Sequence, residues 1–155
     1  MQLKFRIILN VEEDVLRDII IDSNITLIDF SKIISSEFGF DSSEISTFHH
    51  SNENWEQLDE IKIYKIDELD QIMDKTPISN FFLYKGDKLI YIYDFLNYWT
   101  FFIELYEIDE SAKVDSYKCI NSVGEVPKNP PSDIFYINSV KEDIDELDLD
   151  DTYID

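Results

Sequence analysis

The chain has 155 residues, enough for one domain with a sizeable core and too few for two ordinary ones. Its 44% apolar and 14% aromatic content is that of a folded protein, so the excess of 34 acidic over 13 basic residues does not signal global disorder. The resulting formal charge of −21 repels phosphate backbones and anionic membranes, since nucleic-acid affinity comes largely from Lys and Arg displacing counterions, and favours a basic protein partner or plain solubility.

Leu3, Phe5, Ile7 and Leu9 alternate with Gln2, Lys4, Arg6 and Ile8, the period of a half-buried strand. This opening lacks the apolar core and cleavage site of a signal peptide, and the longest apolar runs fall far short of the ~20 residues of a membrane span. Cys119 is the single cysteine, so no internal disulfide can form. A cytoplasmic location is expected. Val11 to Asp14 reads as an acidic turn and Val15 to Ile21 as a second strand. Thr26 with Asp29 resembles a capping box, and Leu27, Phe30, Ile33, Ile34 and Phe38 follow helical spacing up to Gly39, placed for a left-handed C-terminal residue.

Ile45–His50 and Glu60–Ile66 read as further strands, and Asp67–Asp74 as a short helix ended before Pro77. Residues Phe81 to Tyr106 then carry eleven of the twenty-two aromatic residues. They read as strands Phe81–Tyr84, Lys88–Phe95 and Tyr98–Tyr106, separated by Lys85-Gly86-Asp87 and by Asn97. Tyr91, Tyr93 and Phe95 then share one face; next door, Trp99, Phe101, Ile103 and Leu105 share one and Tyr98, Phe102 and Tyr106 the other. Residues 107–133, with Gly124, Pro127, Pro130 and Pro131, read as an irregular wrap, and Ile134–Ile137 as an edge strand. The pattern predicts an α+β roll of order ββαββ, short helix, βββ, with one main helix on a mostly antiparallel sheet. One domain is expected over 1–138, followed by an acidic tail over 139–155. Lys141 to Asp155 holds eight acids and one lysine, a net −7 that leaves −14 on the rest.

One helix layer covers one sheet face, so the second apolar face needs the C-terminal wrap, a homodimer mate or another protein. Tyr98, Phe102 and Tyr106, with Ile144, Leu147 and Leu149 of the tail, are the candidate partner surface. Base stacking on these aromatics would require a basic groove, which Lys85 and Lys88 do not supply against Asp87, Asp94, Glu104 and Glu107. His49 and His50 diverge on a strand and cannot easily share a metal. Cys119 has only Lys118 as a basic neighbour in sequence, and the three scattered glycines form no phosphate loop or dinucleotide fingerprint. No cofactor or metal site is expected.

The run Thr26-Leu27-Ile28-Asp29-Phe30-Ser31-Lys32-Ile33-Ile34-Ser35-Ser36-Glu37-Phe38-Gly39-Phe40 resembles the helix and Gly-aromatic ending of the plasmid Orf-three-like family, named for a root-inducing plasmid. Val15-Leu16-Arg17-Asp18 aligns with that family's Ile-Trp-Arg-Arg strand, and Tyr93-Asp94-Phe95-Leu96-Asn97 with Trp99 is similar to its Tyr-Asp-Phe-Gly-Asp-x-Trp block. Glu44-Ile45 and Phe48 fall where the family has His-Leu and Phe. Asn54-Trp55-Glu56, Glu60-Ile61 and Cys119 with Gly124 and Pro127 resemble a divergent Bacteroidetes-like branch. The resemblance runs from Leu3 to Pro131. It implies a compact cytoplasmic α+β domain without an established activity; the label of insertion-element passenger, resolvase type, that members carry reflects genetic neighbourhood. Asp18, Glu44 and Leu96-Asn97 replace the family's Arg, His and Gly-Asp, which weakens an enzymatic reading. With Arg6 and Arg17 its only arginines, the chain cannot furnish a serine recombinase's site.

The sequence therefore points to a non-enzymatic interaction module with a basic protein partner. The alternatives are an enzyme using acids around Asp94 and Glu44 with His49 or His50, and a nucleic-acid-related protein or DNA mimic.

Overall fold

The computed structural model describes residues 1–62 and 74–131. Seven strands are joined by antiparallel pairing: β1 (Gln2–Leu9), β2 (Leu16–Asp22), β3 (Ser46–His50), β4 (Glu60–Ile61), β5 (Lys88–Tyr93), β6 (Trp99–Asp109) and β7 (Lys118–Val123). Their order across the sheet is β4-β3-β5-β6-β1-β2-β7. Helix α1 (Leu27–Glu37) connects β2 to β3, crossing one face of the sheet. The fold is the expected α+β class.

The capping chemistry forms as the sequence dictates: Asp29 N–H donates to Thr26 Oγ1 at 3.2 Å, and Gly39 takes φ +81° just past the helix. Leu27, Phe30, Ile34 and Ser35 bury one stripe of α1 against the alternating residues of the central strands. Phe5 meets Phe30 at 4.9 Å and Phe82 at 4.7 Å, while Phe30 stacks toward Phe48 at 6.1 Å. Each such buried ring removes ~150–250 Å² from water.

Three expectations change. Phe81–Tyr84 is not a strand. Pro77 leads into a 3-10 turn over Ile78–Asn80, and both Phe81 and Phe82 N–H donate back to Ile78 O. Leu83 and Tyr84 N–H go to the Asp87 carboxylate, so no ladder partner remains for them. The turn lets consecutive phenylalanines enter the core, which strand alternation forbids.

Second, β5 ends at Tyr93, and Phe95 stands on the hairpin tip instead of continuing a face. Asp94 and Tyr98 adopt left-handed φ values of 63° and 56°, and the Asp94 carboxylate takes Leu96 N–H and the Asn97 amide. Third, the expected irregular wrap over 107–133 contains the end of β6 and all of β7, leaving residues 110–117 and the described stretch after Val123 irregular. The expected short helix Asp67–Asp74 and edge strand Ile134–Ile137 fall on or extend into residues outside the described ones, as do the end of the Glu60–Ile66 strand and the tail.

The second apolar face is covered from within. Trp55, on the loop between β3 and β4, closes over Phe102, Ile90 and Ile92, with Ile8 packed alongside. Asn52 shapes this loop: its Oδ1 accepts Asn54 and Glu56 N–H while its carbonyl accepts Trp55 N–H. Phe102, expected on an open partner surface, is only 1% exposed.

Candidate functional site

Five of the residues singled out by sequence meet at one place. Arg17, Gly39, Phe40, Trp99 and Pro127 line a cleft of about 480 Å³ beside the C-terminal end of α1, together with Ser36, Glu37, Phe38, Glu125, Val126 and Lys128. Strand β2 supplies Arg17 from its helix-facing side. The Arg17 Nε donates to the Glu37 carbonyl at 3.2 Å, and its Nη1 donates to the Leu16 and Val123 carbonyls at 2.8 and 2.9 Å. A cation is favoured at a helix C-terminus, where carbonyls lack partners. The guanidinium also lies over the Phe38 ring, 4.9 Å from its centroid.

Phe40 forms the aromatic wall, 5.1 Å from Trp99 and 5.2 Å from Tyr93. Gly124 stands at the entry to the segment that carries Glu125 to Lys128. A Cβ there would fall 2.0 Å from the Asp14 carbonyl oxygen, so only glycine lets the two backbones approach. Cys119 lies near this end of the sheet; burial pushes its thiol pKa up, and the Glu37 carboxylate adds to the shift.

Asp94 and Phe95 are not part of the cleft. They belong to a second feature, an apolar knuckle where the β5–β6 hairpin tip meets the chain entering β3, joined by Asp94 N–H to the Ile45 carbonyl at 2.8 Å. Leu96 is 96% exposed, Ile45 66% and Phe95 50%, with Tyr98 also exposed beside them. Residues 41–45 and 93–99 contain Asp41, Glu44 and Asp94 and no Lys or Arg. Ser43 hydrogen bonds hold the Asp41 carboxyl below its usual range, helped by the Tyr93 hydroxyl. Tyr93, donating to Asp41, is pushed up to about 12, first by burial and then by that bond.

The enzymatic constellation does not assemble. His49 pairs with Ile90 and His50 with Leu89, so the two imidazoles point to opposite faces. Asp94 lies beyond the other end of β5, roughly 13 Å away at ~3.4 Å per residue. His49 Nδ1 faces the Leu58 carbonyl at 3.2 Å, and His50 lies against Phe81. Among the described residues no group of three or more His, Cys, Asp or Glu side chains is placed to hold a metal ion, and no helix is long and apolar enough to cross a membrane.

Tyr106, the other described member of the expected partner surface, lies between Lys4 and Arg6, whose charges stand 5.3 and 5.1 Å from its ring centroid. Sequence reasoning missed Phe38, Val126 and Lys128 as cleft residues and Ile45 and Leu96 as knuckle residues. Leu96 had a legible signal, a large apolar residue in a turn; Lys128 had none.

Fold and site together define an α+β roll, with one α-helix among the described residues and a cleft at that helix's C-terminal end. The profile described as plasmid pRiA4b ORF-3-like protein matches residues 1–148, and the chain belongs to that family. A crystal structure of a protein of unknown function, MM3350 from Methanosarcina mazei Go1, is similar with a TM-score of 0.64 and 18% identity, covering 93% of this chain and 81% of that chain. That likeness shows a shared fold. No functionally curated protein matches the chain.

Proposed function

We propose that this chain is a non-enzymatic interaction module that docks a basic protein through the apolar knuckle. The observation that carries this reading is the exposure of Ile45, Phe95 and Leu96 within a cluster of carboxylates that has no basic residue. An exposed apolar group gains by burial, whereas the carboxylates around it select a partner rim of Lys and Arg. The local backbone supports a built surface: two left-handed residues and the Asp94 bonds hold Phe95 and Leu96 outward. The overall charge of −21 adds long-range attraction for the same partner.

The test compares the immobilised chain with its Phe95→Ser/Leu96→Ser variant in capture from a native-like lysate, at low and high salt, followed by titration with the purified captured protein. Both positions are exposed, so the variant is expected to fold with an unchanged melting curve. The expected result is a basic protein that the parent chain retains, that salt releases, and that the variant does not bind. Capture that is insensitive to salt, or equal for the two forms, overturns the proposal.

A further inference from the structure

We infer that the cleft beside the C-terminal end of α1 binds a carboxylate carried on an apolar body, with Arg17 Nη2 as the anion donor. This inference is independent of the knuckle. A guanidinium has five N–H groups in a fixed fork. In Arg17 the Nε and both Nη1 hydrogens are committed to the carbonyls of Glu37, Leu16 and Val123. The two N–H groups of Nη2 have no partner among the described residues, and no carboxylate there lies within ion-pairing distance of Arg17. Yet the residue is only 8% exposed. The charge therefore meets only backbone carbonyls and the Phe38 ring, with no carboxylate among the described residues to neutralise it, in a chain whose acids outnumber its bases 34 to 13.

The three backbone bonds orient the fork before any ligand arrives, so little freedom is lost on binding. Nη2 is not sealed off, because Arg17 lines the cleft. Two N–H groups on one nitrogen at the edge of a planar fork suit a carboxylate oxygen.

The rest of the lining sets the ligand's body and charge. Phe40, Trp99, Val126 and Pro127 offer apolar and aromatic surface, and a cleft of about 480 Å³ suits a small molecule or a terminal side chain. The charged lining residues are Arg17 and Lys128 against Glu37 and Glu125, a formal balance of zero. A monoanion is therefore tolerated, whereas a phosphate dianion meets two carboxylates with no excess of cations. The carboxylate can come from a free acid or from the C-terminus of a peptide.

The full chain is titrated with 3-phenylpropionate, with its neutral amide, with a short peptide ending in Phe as free acid and amide, and with inorganic phosphate. Trp99 fluorescence is read in a Trp55→Phe background, and amide NMR shifts are read in the parent chain. The expected result is at least about tenfold tighter binding of an acid than of its amide, with shifts at Gly39, Phe40 and Trp99. Binding of the free acid identifies a small-molecule site; binding of the peptide acid alone identifies a chain-terminus site. Arg17→Lys, which keeps the charge and loses the fork, is expected to abolish the preference for acid over amide. If that variant does not fold, the parent-chain comparison decides alone. Equal affinity for acid and amide, no binding of either acid, or phosphate competing equally overturns the inference.

Discussion

The indole of Trp55 meets the ring of Phe102 nearly edge to face, with centroids 5.1 Å apart, on the sheet face that α1 does not cover. Trp55→Ala is expected to cost about 3–5 kcal/mol, because it removes a buried aromatic and leaves Phe102, Ile90 and Ile92 open to water. Trp55→Phe is expected to cost much less than its lost volume implies. The Trp55 Nε1 hydrogen is buried without a partner, and such a donor costs about 1–3 kcal/mol that phenylalanine avoids. Urea midpoints at constant m-value measure both; equal losses for the two variants would contradict the argument.

The Arg6–Asp18 pair yields a second expectation. Arg6 Nε and Nη2 bond the two Asp18 oxygens at 2.9 and 3.0 Å, and Asn121 donates to the same carboxylate at 3.2 Å. Removing only Arg6, as in Arg6→Met, leaves a buried carboxylate uncompensated and is expected to cost about 3–5 kcal/mol. The double variant Arg6→Met/Asp18→Leu is expected to be more stable than either single one. A double-mutant cycle reads the coupling directly, and additive losses would show that the pair is not a unit.

Gly124 and Gly39 separate strain from collision. Both have positive φ, but a Cβ at Gly39 meets nothing within 4 Å, whereas one at Gly124 meets the Asp14 carbonyl oxygen. Gly39→Ala is expected to cost about 1–2 kcal/mol for the left-handed backbone alone. Gly124→Ala adds overpacking of about 1–3 kcal/mol and should loosen the junction of β7 with β2. Hydrogen exchange of β7 amides checks this: Gly39→Ala should leave them protected relative to the rest of the sheet.

Stability should also fall in alkali through Tyr93. Its folded pKa of about 12 lies above the ordinary 10.0, so the unfolded chain loses this proton first as pH rises. The contribution is fully present below pH 10 and is lost between 10 and 12. Tyr91, raised by burial, acts in the same direction. Tyr93→Phe is expected to flatten that alkaline fall in denaturation midpoints; an unchanged slope would remove Tyr93 as its source. Asp41 acts oppositely: its depressed pKa gives stability that is present above the ordinary carboxyl range and is lost in acid.

Where local chemistry decides structure, the sequence was legible. Thr26 and Gly39 delimit α1, and the alternation through Leu3 to Leu9 places β1. Of the residues read as a family motif, Arg17, Gly39, Phe40, Trp99 and Pro127 line one cleft, whereas Asp94 and Phe95 stand apart on the knuckle. Legibility failed where long-range pairing or a turn overrides the local pattern. Phe81-Phe82 has strand composition, yet Asp87 captures the following N–H groups. Strand β7 carries little apolar alternation because it is an edge, held by Arg17, Asp18 and the rest of β2. Lys88–Phe95 and Tyr98–Tyr106 were read where β5 and β6 stand, whereas β7 lies in a segment read as irregular wrap. Trp55 stands alone in a polar loop, and nothing local says which surface it will close.

Strand β1 lies inside the sheet, between β2, which follows it at once, and β6, where Gln2 pairs with Asp109. During synthesis the β1–β2 hairpin therefore emerges long before its other neighbour exists. About a hundred residues at roughly 5–20 per second leave that inner edge open for on the order of 5–20 s. An apolar strand with unpaired backbone groups is a template for other chains during that interval. The nascent protein is thus most vulnerable early, and it is the arrival of β6, more than the burial of any one residue, that ends the hazard.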